Sequence, residues 1–178
     1  MQLGLIGYYS DFVVYPAAIA ILAATGLSHA GEAGMWAWLA TALFAVGLWT
    51  LIEYLMHRYV LHRVPYIKQM HDHHHVEERA SEGTPTWISL PAHALIAFFP
   101  VLAVSDFATA SAVTCGLMLG YLWYVSVHHI LHHWHPVHPG YFYTLKRRHA
   151  MHHHVDAETN FGVTSIFWDR VFGTARLK

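Results

Sequence analysis

The sequence predicts an all-α integral membrane protein with four transmembrane helices in two hairpins and a compact cytoplasmic cap of histidine-rich helices. Three observations lead to this prediction: the composition, four apolar stretches, and the placement of the basic residues. The 178 residues are 55% hydrophobic and only 12% charged, which is far too apolar for an ordinary soluble domain. By its length the chain is a single domain, residues 1–178. A net charge of −1 gives no indication of nucleic-acid binding.

Four apolar stretches form the predicted spans, at about 12–28, 35–56, 87–104 and 107–127. A spanning helix needs about 20 apolar residues, so the second and fourth stretches are long enough and the other two are marginal. The third stretch contains Pro91 and Pro100, and we expect it to be kinked. The connections at 29–34 and 105–106 are so short that each pair of helices should be antiparallel. A buried soluble core is the alternative, but a chain this small cannot shield four such helices from water.

The basic residues indicate which ends of the helices face the cytoplasm. All ten lie after the second or the fourth apolar stretch: Arg58, Arg63, Lys68, Arg79, Lys146, Arg147, Arg148, Arg170, Arg176 and Lys178. Positive residues stay on the cytoplasmic side during insertion, so both segments and both termini should be cytoplasmic. The predicted cap comprises about 57–86 and 128–178. Cys115 lies inside an apolar run, which excludes a disulfide framework and favours a small core residue.

Histidine dominates both segments of the predicted cap. Sixteen of the eighteen histidines fall within 57–75, 128–138 and 149–154, where the spacings x4, x2 and x3 recur. Neutral imidazole is the commonest protein ligand for transition metals, and ten such rings are more than one ion can use. We therefore predict a two-metal site built almost wholly from histidine. The predicted ligands are His57, His62, His71, His74, His75, His128, His132, His149, His152 and His153.

Helical spacing groups most of these rings on shared faces. The triplets that begin at His71 and His149 stand at i, i+3 and i+4, which is one helical face. His57 and His62 would lie about 140° apart on an α-helix, so both can serve one cavity only if the helix bends or if the two side chains differ in reach. The other histidines fit a surface, hydrogen-bonded or accessory role: His29, His73, His93, His129, His133, His135, His138 and His154. A flexible metal-buffering loop is the alternative, but these windows also carry apolar residues at packing positions.

Four motifs resemble the histidine boxes of the fatty acid hydroxylase superfamily. They are His57-Arg-Tyr-Val-Leu-His62, His71-Asp-His-His74-His75, His128-His-Ile-Leu-His132 and His149-Ala-Met-His152-His153. The tail from Asn160 to Thr174 also resembles the segment that closes the catalytic cap of that superfamily. The likeness covers about residues 50–174 and is greatest to the fatty acid 2-hydroxylases, chiefly around 53–62 and in the short spacer before His71.

This resemblance implies a di-iron, oxygen-dependent monooxygenase whose two iron ions are held by the ten histidines. Zinc is a possible substitute in purified protein, because imidazole accepts both metals. Many eukaryotic members carry a fused haem-cytochrome domain, and no such segment fits here. We therefore expect a separate electron donor, such as a small haem cytochrome or a ferredoxin with its reductase, and a bacterial inner membrane rather than the endoplasmic reticulum.

The expected reaction hydroxylates the acyl chain of a membrane lipid, at C2 of a fatty acid or fatty-acyl lipid, with O₂ as co-substrate. The nearby carboxylates are candidates to accept hydrogen bonds from the ligand rings: Glu53, Asp72, Asp156 and Glu158. Glu53 is the foremost of them, since it lies one helical turn before His57 and near membrane depth. The alternative is that the Glu53 side chain extends to the membrane interface or caps a helix there.

Two other functions remain open at this stage. A sterol or carotenoid oxidase, or a lipid desaturase, would use the same scaffold with a different substrate pose. A metal transporter or metal-storage protein would need polar residues along a path through the spans, where the sequence offers only His93 and Glu53.

Overall fold

The structure, a computed structural model, describes residues 2–176. The regular elements of this part of the chain are helices. The last two residues of the predicted cap, Leu177 and the basic residue Lys178, lie outside the described residues. The α-helices are α1 (Leu5–Tyr9), α2 (Asp11–Leu55), α3 (Pro65–Val76), α4 (Thr86–His93), α5 (Phe99–Val104), α6 (Phe107–His133), α7 (Tyr141–His154) and α8 (Phe167–Val171). Between residues 2 and 176 the only β-pairing is one antiparallel bridge, Gln2 to Glu82. The all-α prediction is therefore confirmed.

Three helical stretches in the described chain are long and apolar enough to cross a membrane: Leu5–Leu61, Thr86–Val104 and Phe107–His133. The first of them combines the two predicted spans at 12–28 and 35–56. Its backbone leaves the helical region at Gly31, with φ 64° and ψ −179°. Glycine adopts these angles readily because it has no Cβ.

The chain folds back on itself around Gly31. Leu22 and Leu27, before the glycine, pack against the same buried cluster as Trp38 and Ala42, after it. A side chain at Gly26 would overlap that of Trp38, so the two halves of α2 approach closely there. The two halves thus form a hairpin, although only one residue interrupts the helical backbone.

The third predicted span is irregular, as its prolines indicate. It consists of α4, a π-helical turn at Ala94–Phe98, and α5. Pro91 lies within α4 and Pro100 within the first turn of α5. A proline inside a helix removes a hydrogen-bond donor and crowds the preceding turn. The backbone accommodates this with the wider π turn between the two prolines.

The chain divides into two compact units. The apolar unit is the chain through Trp49 together with Ser81–Leu122, and the histidine unit is Thr50–Ala80 together with the chain from Trp123 onward. In the apolar unit Cys115 is fully buried beside Ala112, as expected for a small core residue. Many large apolar side chains of this unit are exposed, among them Leu43, Ile96 and Val104. Such a surface suits lipid and not water.

The apolar unit also contains a buried acid that lies one residue before the first predicted span. Asp11 is 6% exposed, and its carboxylate accepts hydrogen bonds from the hydroxyls of Tyr121 (2.7 Å) and Thr86 (2.5 Å). The polar residues predicted within the spans were His93 and Glu53, and Asp11 lies at the edge of the first span. Its carboxylate bonds join α2, α4 and α6.

The histidine unit has its own core. Val127 and Leu131 on α6, Leu145 on α7 and Val163 in the chain after α7 form one buried cluster. This packing fixes α6 and α7 relative to each other, and both helices carry predicted ligands. The predicted ligands therefore stand on an ordered core, unlike those of a flexible buffering loop.

Candidate metal centre

The ten predicted ligands gather into two groups of five within the histidine unit. The first group is His57, His62, His71, His75 and His152, and the second is His74, His128, His132, His149 and His153. Within each group, every ring offers a nitrogen within 4.8 Å of the others. Each group could therefore hold one metal ion.

A π-helical turn brings the first two histidines to the same side of the chain. The segment Met56–Leu61 continues α2 as π-helix, and the backbone N–H of His62 bonds to the carbonyl of His57 at 3.3 Å. This i to i+5 bond is the π pattern, and such turns are frequent at functional sites. It reduces the angular separation of about 140° that an α-helix would impose. The bend expected from the spacing is thus a widened turn.

Helices α3 and α7 each serve both groups. On α3, His71 and His75 belong to the first group and His74 to the second. At about 100° per residue, the i and i+4 rings lie about 40° apart, while the i+3 ring lies on the other side of the i ring. On α7 the pattern is reversed, since His149 and His153 join the second group and His152 the first. The shared face expected from the spacing is therefore divided between two neighbouring sites.

The distances between ring nitrogens suit a bound metal. In the first group, Nε2 of His71 lies 3.1 Å from Nε2 of both His57 and His62. In the second, Nε2 of His132 lies 3.1 Å from that of His74 and 2.9 Å from that of His149. Metal–imidazole bonds of about 2.1 Å that meet at right angles separate two nitrogens by about 3.0 Å. Imidazole suits both iron and zinc, so the donor set fits two such ions.

Backbone carbonyls fix the orientation of two rings in the first group. The Nδ1 atom of His57 lies 2.6 Å from the carbonyl oxygen of Phe161, and that of His152 lies 2.8 Å from the carbonyl of Thr159. A carbonyl can only accept, so each Nδ1 must carry the hydrogen. The Nε2 atoms of both rings are then unprotonated and face the group. Their lone pairs require a cation or a donor between them.

Burial disfavours the charged form of the predicted ligand histidines that lie outside the membrane-spanning segments. Burial lowers the pKa of His74 to about 4 and that of His152 to about 3. The pKa values of His71 and His149 are also lowered, first by burial and then by neighbouring histidines. A neutral ring can bind a metal without first releasing a proton. Near pH 7 these rings are neutral, so they could bind a metal ion directly.

The remaining histidines lie outside both groups. His154 and His135 lie near charged partners, with Nε2 3.5 Å from Glu78 Oε2 and 3.4 Å from Arg79 Nη2 respectively. His29 is exposed and its Nδ1 lies 2.8 Å from the Thr25 carbonyl, which agrees with its expected surface role.

The structure gives different partners to the carboxylates considered as acceptors for the rings. Asp72 pairs with Lys68, Asp156 with Arg176, and Glu158 with Arg63. All three pairs lie at the surface of the unit, with side chains that are 31–59% exposed.

Glu53 also differs from its expected role, since its bonds go to the chain after α7 and not to a ligand ring. Its carboxylate accepts from the backbone N–H groups of Val163 (2.7 Å) and Thr164 (2.8 Å) and from the Thr164 hydroxyl (2.5 Å). These three donors occupy both oxygens of a side chain that is only 4% exposed.

A carboxylate that the sequence did not single out, Glu78, lies close to a ligand ring. Glu78 Oε2 lies 3.6 Å from Nδ1 of His132. Glu78 lies just after α3 ends at Val76, so its nearness in sequence to the His71–His75 triplet was the available signal. The carbonyls of Thr159 and Phe161 were missed as well, and no side-chain pattern could have indicated them.

Known proteins resemble this chain in sequence. The sequence matches the fatty acid hydroxylase family over residues 42–174. It is 33% identical to fatty acid 2-hydroxylase of Rattus norvegicus over 146 residues, which cover 74% of this chain and 39% of the rat protein. It is 34% identical to a dihydroceramide fatty acyl 2-hydroxylase of Arabidopsis thaliana over 145 residues, 74% of this chain and 58% of that protein.

A solved structure has the same fold. It is described as full-length scs7p with only the hydroxylase domain visible, and it superposes with a TM-score of 0.78 at 26% sequence identity. The match covers 96% of this chain and 67% of that one. The parts that align with the rat and Arabidopsis relatives are less than two thirds of those proteins. The expected resemblance is confirmed: this chain belongs to the fatty acid hydroxylase family.

Proposed function

We propose that the protein is an O₂-dependent di-iron monooxygenase that hydroxylates the acyl chain of a membrane lipid at C2. The observation that carries this proposal is the pair of five-histidine groups, each with its ring nitrogens converging on a metal-sized space, in a chain of this family. Two relatives are named for 2-hydroxylation of fatty acids or fatty-acyl ceramides, which supports the choice of C2.

The ten grouped histidines would hold the two iron ions, which supply the activation of O₂ when bound. Substrate, O₂, two electrons and two protons would give the hydroxylated lipid and water. The rings leave the charge of the ions uncompensated, because they are neutral ligands. The protein's own contribution is to fix the rings and to keep them away from bulk water. Most of them are buried, and His152 is fully so.

We further propose four spans, with the histidine unit and both termini on the cytoplasmic side. The return of the chain at Gly31 supports division of Leu5–Leu61 into two spans, since residues on both sides of it share one cluster. The placement of the basic residues supports the orientation. Because the family match runs from residue 42 to residue 174, across parts of both units, we treat the chain as one hydroxylase domain.

Lipid analysis of a host that makes the protein tests the reaction. Cells are grown with and without the chain, with iron and a competent electron donor, and their acyl chains are compared. We expect an increase in 2-hydroxy acyl chains. An increase in unsaturated or ring-hydroxylated lipids instead would indicate desaturation or sterol or carotenoid oxidation, and metal uptake without any oxidised lipid would indicate a transporter.

Single substitutions test the histidine assignment. We expect His74→Ala and His152→Ala each to abolish 2-hydroxylation, because each removes a buried ring from one of the two groups. His29→Ala is the matched control, since this ring is exposed, belongs to neither group, and has its Nδ1 2.8 Å from the Thr25 carbonyl. The measurement is 2-hydroxy lipid per folded protein. Full activity of either of the first two variants would contradict the assignment.

A further inference from the structure

The two histidine groups differ in the hydrogen bonds that Nδ1 makes in several of their rings. In the first group, His57 and His152 donate Nδ1–H to backbone carbonyls at 2.6 and 2.8 Å. In the second group, Nδ1 of His74 and of His149 is buried with no hydrogen-bond partner among the described protein atoms. Glu78 Oε2 lies 3.6 Å from Nδ1 of His132 in the second group, which is longer than a hydrogen bond. The first group is therefore the more firmly oriented.

The carbonyls that hold the first group belong to one short stretch of chain, Thr159–Thr164, which we call the closing segment. Asp169 fixes its middle, because Oδ1 accepts from the N–H of Phe161 and Oδ2 from that of Gly162, both at 2.9 Å. Glu53 fixes its end through the three hydrogen bonds from Val163 and Thr164. Asp169 is fully buried, so water does not compete for its bonds.

We propose that Glu53 and Asp169 are positioning residues whose hold on the closing segment makes the first group bind its metal more tightly than the second. This rests on the proposed metal-binding function. A ring fixed in orientation and tautomer loses less freedom when it binds an ion, and an accepted N–H bond makes its other nitrogen more basic. Neither carboxylate touches a ring, so each acts through the carbonyls of Thr159 and Phe161.

The two carboxylates respond differently to replacement by an amide. Glutamine at 53 keeps an oxygen for the two backbone N–H groups and offers its NH₂ to the Thr164 hydroxyl oxygen, so all three bonds can persist. Asparagine at 169 turns its NH₂ toward one of the two backbone N–H donors and loses that bond. Asp169→Asn and Glu53→Ala should therefore release the segment, while Glu53→Gln should preserve it.

Metal titration tests this difference without relying on enzyme activity. Metal-free protein in detergent micelles is titrated with Zn²⁺ in competition with a chromophoric chelator. The native chain should bind two ions in separate steps. His75→Ala, in the first group, should weaken the tighter step, and His128→Ala, in the second group, should weaken the other.

We expect Asp169→Asn and Glu53→Ala to weaken the tighter step by about tenfold and to leave the other step unchanged. Glu53→Gln should behave like the native chain. So should Glu158→Gln, a control on the connection just before the segment whose exposed side chain pairs with Arg63. Thr164→Ala removes only the hydroxyl bonded to Glu53 and should weaken the same step by a smaller factor, which keeps the test available if the other variants do not fold.

Two native steps of equal affinity, or a tighter step that belongs to the His128 group, would overturn the inference while leaving the proposed function intact. Equal weakening of both steps by Asp169→Asn or Thr164→Ala would overturn it as well, since the segment would then support the whole unit. Failure of the native chain to bind two ions at all would instead contradict the proposed function.

Discussion

A histidine ring is a good metal ligand only when it is neutral and its free nitrogen faces the ion. Burial provides the first condition here, since it disfavours the charged form of the ring. Hydrogen bonds to carbonyls provide the second for His57 and His152. His153 shows the cost of the arrangement, because both of its nitrogens are buried without a partner among the described protein atoms. Without a metal, such a ring destabilises the fold.

The burial of neutral histidines predicts that the stability of the metal-free protein depends on pH. Burial lowers the pKa of His74 to about 4 and that of His152 to about 3, whereas an unfolded chain takes up these protons near pH 6.5. Between those values the unfolded state binds more protons, so the free energy of unfolding falls as the pH falls. We expect it to be constant above about pH 7 and to decrease steadily from pH 6.5 to 4.

Denaturant unfolding of the metal-free protein in micelles at a series of pH values measures this slope. His71→Gln should reduce the slope, because it removes one of the buried rings with a lowered pKa. His29→Gln should leave it unchanged, since that ring is exposed. A stability that stays constant from pH 7 to pH 4.5 would show that the rings are not held neutral by the fold.

At the scale of the helices, α3 and α7 act as a matched pair. Each places its i and i+4 histidines in one group and its i+3 histidine in the other. A rotation of either helix would therefore displace rings of both groups at once. The shared core of Leu131, Leu145 and Val163 opposes such a rotation for α7.

Local spacing predicted the ten histidines that gather, but their division into groups depends on contacts across the chain. The i, i+3, i+4 pattern places three rings on a face without indicating that two ions share it. The π turn after α2 was foreseen only as a bend, because the sequence does not specify an i to i+5 bond. His57 meets the Phe161 carbonyl across 104 residues, and such backbone acceptors leave no side-chain pattern.

The return of α2 at Gly31 makes a prediction about stability. With φ 64° and ψ −179°, this backbone conformation is essentially restricted to glycine, and nothing lies within 4 Å of a Cβ added there. Gly31→Ala should therefore destabilise the protein by roughly 1–3 kcal/mol through backbone strain alone. Gly47→Ala is the matched control, since it also has open space but sits in regular helix, where alanine should stabilise by up to about 1 kcal/mol.

Thermal unfolding in the same micelles compares the two glycine variants with the native chain. The contrast in sign separates backbone strain from any general effect of an added methyl group. A Gly31→Ala protein as stable as the native chain would mean that the return between the two halves of α2 does not require this conformation.

At the scale of the whole molecule, the sequence assigns different chemistry to the two units. Both histidine groups lie in the histidine unit, whereas the apolar unit exposes large side chains such as Leu43 and Ile96. The apolar surface suits a bilayer, and the grouped rings could hold metal ions. The composition predicted the apolar surface and the histidine windows predicted the grouped rings, whereas the four spans predicted from the apolar stretches stay a prediction.

The proposed four spans place residues 32 and 105, at the two hairpin tips, on the side opposite the histidine unit. Thiol labelling tests this in a Cys115→Ser background, which removes the one native cysteine. Glu32→Cys and Ser105→Cys should react with a membrane-impermeant maleimide added to intact spheroplasts, since both positions are exposed. Val155→Cys, 63% exposed in the histidine unit, should react only after the membrane is opened.

The pattern of labelling separates the possible topologies because each hairpin has its own reporter. If Leu5–Leu61 crossed the membrane once, Glu32→Cys would be shielded within the bilayer or would react from a different side than Ser105→Cys. If the orientation were inverted, Val155→Cys would react in intact spheroplasts and both tips would be protected. Four spans with a cytoplasmic histidine unit require both tips to react from outside, because each then lies between two crossings of the membrane.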